Sequence, residues 1–299
     1  MKTSKFILLS LIIFTLACDN SAQVKKPKNG NKTKTETSNK TNTPMNNNSL
    51  DKSTGGIKML AQGSHSSIEN PFIFVARSPE TYAQMQSFVE NLPSASAINF
   101  SKSAVVATFA GTKNTGGYSV TIKKTTDKIA IDVVAPPKDA MVTQALTTPY
   151  NVSLVSVEEE MPLPIEASAN WINAAQNYKI TSGEFEYSGG FAGEINKFNV
   201  EGTISVLGFG DYATIIFNLS GRGTQKARKL TETASGSIKA GKINLPRLDA
   251  GSFSEGPKPP LKVSGTLASD KLALTFEPLP TIIADGYEAR GKIEAVKIK

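Results

Sequence analysis

The chain has 299 residues, with a single histidine, His65, and a single cysteine, Cys18. One cysteine excludes an intrachain disulfide, the pair excludes a His/Cys zinc cage, and a Ser-His or Cys-His hydrolase relay would have to rest on His65 alone. The formal charge is +7, but residues 1–56 carry nine lysines against three acidic groups and hold +6 of it, so the nearly neutral remainder has no basic footprint for a nucleic-acid partner.

Lys2 and Lys5 precede twelve mostly apolar residues, Phe6–Ala17. This run is too short to span a bilayer, which takes about 20 residues, and it has the form of a secretory h-region. It ends in Thr15-Leu16-Ala17-Cys18, which resembles the lipobox of bacterial lipoproteins, with Thr15 where Leu is usual. The resemblance implies a signal peptide over 1–18, acylation of Cys18 as the first residue of the mature chain, and a lipid-anchored protein of the bacterial cell envelope. The bilayer is then a partner, and the leaflet stays open. The alternative is ordinary cleavage near Ala22, which discards Cys18. Two or more acyl chains, at about 0.8 kcal/mol per buried methylene, make a stable anchor where one is marginal. Residues 19–56 are rich in Asn, Lys and Thr and have almost nothing to bury, which predicts a disordered tether. It serves as a spacer, or its lysines also meet anionic headgroups.

The first globular domain is expected over 57–158. Ile57–Ala61 and Pro71–Ala76 have strand content. Ser78-Pro79-Glu80 then marks a helix start, with a capping serine, a first-turn proline and an acid that suits the dipole. Tyr82, Met85, Phe88, Val89 and Leu92 share one helical face, and Pro93 stops the helix. Strands follow at Ala104–Phe109, at the alternation Tyr118, Val120, Ile122, at Ile129, Ile131, Val133 after a turn at Thr126–Lys128, and at Asn151–Val157. The pattern predicts a small sheet carrying one helix.

Between two of these strands lies Lys113-Asn114-Thr115-Gly116-Gly117-Tyr118. Adjacent glycines permit positive φ or a close backbone approach. Tyr118 reads as a core anchor of a tight turn or as an interface anchor. Asn99-Phe100-Ser101-Lys102, Ala104–Gly111 and Thr115-Gly116-Gly117-Tyr118-Ser119-Val120 together resemble the C-terminal domain of the protease complex subunit PrcB family. Pro136-Pro137, Thr147, Pro149 and Tyr150 agree with that likeness, as do Gly63, Ser66 and Ile68 upstream. It covers about 57–157. Where the family has Lys-Pro-Thr-Gly-Gly-Tyr, this chain has Asn114 in place of the proline. The resemblance implies an exported, non-catalytic module that associates with a surface protease complex, with Asn114, Thr115, Gly116, Gly117 and Tyr118 as the candidate partner-binding loop. Asn114–Tyr118 is also similar to a loop of chagasin-like cysteine protease inhibitors, whose other loops have no counterpart here.

Residues 159–177 form an acidic, proline-broken linker beginning within Glu158–Pro164. A short helix is expected over 165–176, with Trp171 and Ile172 as its docking contacts. Residues 178–299 then read as strand after strand. Val200-x-Gly202-x-Ile204, Ala234-x-Gly236-x-Ile238, Val263-x-Gly265-x-Leu267 and Ala289-x-Gly291-x-Ile293 repeat an apolar-x-Gly-x-apolar motif. Glycine inside a strand signals a bulge or bend, so this half is expected to be an antiparallel β-meander, a curled sheet or a sandwich-like domain. The fold class is mainly β. Gly210-Asp211-Tyr212 and Gly286-Tyr287 read as turns.

No P-loop, dinucleotide fingerprint, HExxH or EF-hand pattern occurs. The reading is therefore no enzyme, with no catalytic residue, no metal site and no cofactor. It is a membrane-anchored envelope lipoprotein that binds a protein, with a surface protease as the expected partner. The alternatives are a chagasin-like protease inhibitor and a glycan or lipid carrier, the carrier requiring a continuous cavity lined by apolar or aromatic side chains within 178–299.

Overall fold

The computed structural model describes residues 56–157, 164–188, 195–222, 227–249, 260–279 and 288–298. Cys18, the tether to residue 55, the acidic stretch at 158–160 and the Gly286-Tyr287 pair lie outside the described residues. All described residues belong to one unit.

Four strands form the first sheet: β1 (Ile57–Gly63), β2 (Pro71–Ala76), β3 (Ser103–Ala110) and β6 (Tyr150–Ser156), in the antiparallel order β1-β6-β3-β2. Phe72, Ile73, Phe74 and Val75 of β2 and Ala104 to Ala107 of β3 are buried on both faces, which is why these strands read as continuous apolar runs rather than alternations. A second sheet joins β4 (Ser119–Lys124), β5 (Ile129–Val134) and the three-residue β7 (Ile165–Ala167), the last pair parallel.

The longest helix among the described residues is α1 (Pro79–Gln86). Ser78 Oγ accepts from Thr81 N–H at 3.2 Å, and Thr81 Oγ1 accepts from Ser78 N–H at 3.1 Å, a reciprocal cap. The helix ends about two turns before Pro93, where the sequence places its stop. Ser87 Oγ donates to the Gln84 carbonyl at 2.7 Å, the Ser87 and Phe88 amides make i→i−3 bonds, and Asn91 adopts φ 59°. Local side-chain bonding thus competes with the helix. Val89 and the partly buried Phe88 and Leu92 still reach the core.

The segment expected to be a helix over 165–176 is instead β7 followed by one turn, α2 (Ala169–Ile172). Trp171 is fully buried there, and its Nε1 donates to the Phe109 carbonyl at 3.0 Å. The core role of Trp171 holds, whereas Ile172 is exposed.

The second half is a closed, eight-stranded antiparallel barrel: β8 (Gln176–Ser188), β9 (Ile195–Phe209), β10 (Tyr212–Arg222), β11 (Ala227–Lys239), β12 (Lys242–Asp249), β13 (Pro260–Ala268), β14 (Lys271–Pro278) and β15 (Glu288–Lys297). Each strand pairs with its chain neighbours, and β15 closes onto β8. The interior is filled by side chains including Phe185, Phe217, Leu245, Val263, Leu274 and Phe276. Closure removes the edges that a long meander would otherwise expose.

The barrel also finishes the first half. The outer edge of β2 and that of β7 both lie against the outer face of β11. Ser235 Oγ accepts from Val75 N–H at 2.8 Å, Thr214 Oγ1 donates to the Ile73 carbonyl, and Thr233 Oγ1 donates to the Ile165 carbonyl at 2.7 Å. Barrel hydroxyls thus satisfy edge backbone groups that no neighbouring strand satisfies. At the β9–β10 turn, Phe209 and Tyr212 enter the aromatic cluster of the first half. Ring centroids lie 5.7 Å apart for Phe72–Phe209 and 5.1 Å apart for Phe88–Tyr212.

One buried charge cluster joins the two halves. β11 and β12 are paired only from Ser237 to Lys239. Beyond that point Glu232 of β11 and Asp249 of β12 flank the guanidinium of Arg77, which follows β2. Nη2 is 2.7 Å from Glu232 Oε1 and Nη1 is 3.0 Å from Asp249 Oδ2. Arg247 adds a contact to Asp249 at 2.8 Å. Glu232 is in phase along β11 with Leu230 and Ala234, which belong to the barrel core. Burial works against the Arg77 charge, but Glu232 and Asp249 outweigh it and hold the guanidinium above its ordinary value. Burial pushes the Glu232 carboxyl up to about 7, against the pull of Arg77 and of the Thr233 N–H, with Asp249 adding to the rise.

A raised folded-state carboxyl value has a definite sign. The folded protein holds this proton up to about pH 7, whereas the unfolded chain releases it near 4.5. The contribution to stability is therefore complete below about pH 4.5 and is lost as pH rises through 7. Replacing Glu232 by Gln is expected to flatten the stability profile between pH 5 and 8. Urea unfolding of both proteins at several pH values checks this, and parallel profiles would refute it.

Candidate functional site

The segments that carry the family resemblance come together in space at one end of the first half. Lys113 and Thr147 form a two-way bridge, N–H to carbonyl, at 2.7 and 2.9 Å. Gly116 N–H donates to the Thr143 carbonyl at 2.9 Å, and Thr147 Oγ1 donates to the Thr115 carbonyl at 2.9 Å. The 111–118 loop is thereby fastened along the segment 135–148. Upstream, Ser66 N–H donates to Thr148 Oγ1 at 2.6 Å, and that hydroxyl donates back to the Ser66 carbonyl at 2.8 Å.

The two glycines have packing reasons to be glycine. Gly116 is buried, and a Cβ there would collide with Thr143 Oγ1. Gly117 has φ +83°, and its Cβ would sit 2.9 Å from Pro136 Cβ and 3.0 Å from Val142 Cγ1. A side chain at either position would lift the 135–148 segment off the loop.

Tyr118 is half-buried, neither a core anchor nor a free knob, and Lys113 Nζ lies 5.9 Å from its ring centroid. Burial lowers the Lys113 amino group below its usual range. Asn114 is exposed and Thr115 half-buried. The structure thus brings all five predicted loop residues to one place. Sequence reasoning picks out Pro136, Pro137 and Thr147 of the partner segment but not Met141 and Leu146, which are exposed. An apolar side chain in a loop was the available signal.

His65 is exposed beside the Ser66–Thr148 pair. Among the described residues no group of three His, Cys, Asp or Glu side chains could hold a metal ion, and no helix is long and apolar enough to cross a membrane.

A cavity of about 740 Å³ borders β8, β9, β14 and β15. Its floor includes Phe185, Phe198 and Phe276, and its walls carry Glu184, Glu186, Lys197, Arg290 and Lys292. Lys197 and Glu186 are bridged at 3.1 Å. With three phenylalanines beneath opposite charges on neighbouring strands, this is a cleft of mixed polarity within the barrel half.

The molecule is a mainly β protein, a small sheet domain with one helix joined to an antiparallel barrel. Residues 104–156 match the family model described as PrcB C-terminal, so the stretch from β3 through β6 is similar to that family. The match contains the Thr115–Tyr118 loop and the segment it fastens. No curated protein and no solved structure matches the chain.

Proposed function

We propose that this protein is a lipid-anchored envelope protein that acts as a non-catalytic accessory subunit of a surface protease complex, binding its partner through the fastened loop pair 111–118 and 135–148. The observation that carries the reading is the coincidence of the family match at 104–156 with a preformed, partly apolar loop pair. The lipobox-like Thr15–Cys18 segment supports the anchor. The residue inventory, with His65 exposed and Cys18 assigned to attachment, supports a binding rather than a chemical role.

Mild-detergent purification of the tagged full chain from its own membranes tests this. A protease in near-stoichiometric amount is expected to co-purify, and Cys18→Ser is expected to move the protein out of the membrane fraction. A retained glycan or lipid with no protein would overturn the subunit reading. Unchanged membrane association of Cys18→Ser would overturn the anchor.

A further inference from the structure

Among the described residues seven large apolar side chains are exposed, and three of them, Val134, Met141 and Leu146, fall within 13 consecutive positions. Met141 is fully exposed, Leu146 is 67% exposed and Val134 is 43% exposed. All three border the fastened loop pair. Val134 is the register partner of Ser119, next to Tyr118. Met141 lies two residues before Thr143, and Leu146 immediately precedes Thr147, so the backbone near each is tied to the 111–118 loop.

We infer that the contact surface for a protein partner is the crown formed by Val134, Met141 and Leu146, and that Thr115–Gly117 is the strut that presents it. This rests on the reading that the protein binds another protein. It differs from a contact made by the glycine loop itself, because Gly116 is buried under Thr143 and the exposed Gly117 has no side chain to offer and no room for one against Pro136 and Val142. A loop held by four hydrogen bonds presents its apolar side chains without the ordering cost that a free loop would meet on binding. Methionine adapts to an irregular apolar pocket.

The charge around the crown selects a protein over a lipid surface. The stretch 132–148 that carries the crown holds Lys138 against Asp132 and Asp139, and Lys113 lies over the neighbouring Tyr118 ring. A loop built to enter an anionic bilayer carries a cationic rim. The balanced rim fits a partner with an apolar pocket bordered by both signs of charge, and separate exposed side chains fit a pocket as discrete knobs.

The test places a photo-cross-linking amino acid at Met141, at Leu146 and, as a control, at the exposed Ala273 in the full chain in native membranes. A second arm measures partner recovery by Met141→Ser/Leu146→Ser. The expected result is an adduct at 141 and 146 with the same protein that co-purifies with the unmodified chain, and none at 273. The double variant should lose recovery tenfold or more at an unchanged melting temperature. Full recovery by the double variant, or an adduct at 273 but not at 141, overturns the crown and leaves the subunit reading standing. Cross-linking of 141 to lipid alone, or to nothing, also overturns it. A captured partner that is lost in the double variant but is not a protease supports the crown and removes the protease from the proposed function.

Discussion

Replacing Arg77 by Met is expected to lower the melting temperature by about 10 °C. The guanidinium stands between Glu232 and Asp249 at 2.7 and 3.0 Å, with its side chain 4% exposed. Removing it leaves two carboxyl groups in one buried site with only the half-buried Arg247 to answer them. Breaking a buried ion pair from one side costs about 3–5 kcal/mol. In a unit of this size each kcal/mol moves the melting temperature by about 2–4 °C. Arg77→Lys should recover little, because an ammonium cannot address two carboxylates from one planar fork. Adding Glu232→Gln to Arg77→Met should recover a large part of the loss, since replacing both members of a buried pair is often close to neutral. The coupling from that double-mutant cycle is the direct measure of the contact. An Arg77→Met protein that melts like the parent would show that the cluster contributes nothing to joining the halves.

Arg77 also shows where the sequence falls silent. Its two carboxylate partners lie 155 and 172 positions downstream, so no local pattern marks them. The Ser and Thr residues that cap β2 and β7 are equally hidden. Thr214, Thr233 and Ser235 alternate with core residues as the polar face of any solvated strand does, and nothing nearby states that this face is covered. β7 lies within a stretch whose sequence predicts a helix, for a related reason. Three residues paired in parallel to a strand more than thirty positions earlier carry too little periodicity to compete with a helical reading around Trp171.

What the sequence does expose is local. The Ser78 cap and the run of strands through 104–157 follow from residue types whose preferences are satisfied by near neighbours. The helix is shorter than its apolar spacing predicts, because that spacing continues through Leu92 while the helical backbone ends at Gln86. Of the candidate site, the glycine loop was visible because its φ and packing demands fall on two adjacent glycines. The crown was not, because exposure of Met141 and Leu146 depends on how the 135–148 segment lies across that loop.

The repeated glycine motif is the place where a weak sequence signal had a large structural cause, and it sets the second expected result. Gly202, Gly236, Gly265 and Gly291 lie on β9, β11, β13 and β15, every second strand of the barrel. Gly202 is opposite Leu219, Gly265 is opposite Leu274 and Gly291 is opposite Phe276 and Phe185. A Cβ on Gly236 would strike the Asn244 carbonyl and come within 2.9 Å of Leu245 Cα. On Gly265 it would strike the Ala273 carbonyl and come within 2.8 Å of Leu274 Cδ2. The obstacle is backbone of the next strand, which no rotamer change can move. Curling a sheet into a barrel requires such points of close approach, where a strand bends and the neighbour leans over it. Gly236→Ala and Gly265→Ala are each expected to cost about 3 kcal/mol or more, at or beyond the upper end of ordinary overpacking. Gly208→Ala on β9 is the matched control, because its nearest neighbour would be the Tyr212 carbonyl oxygen at 4.0 Å. It should be neutral or slightly stabilising, since alanine restricts the unfolded chain more than glycine does. Chemical denaturation of the three variants separates the explanations. Equal stabilities would mean that the repeat does not mark the bends of the barrel, and a loss at 236 and 265 but not at 208 would tie the motif to closure.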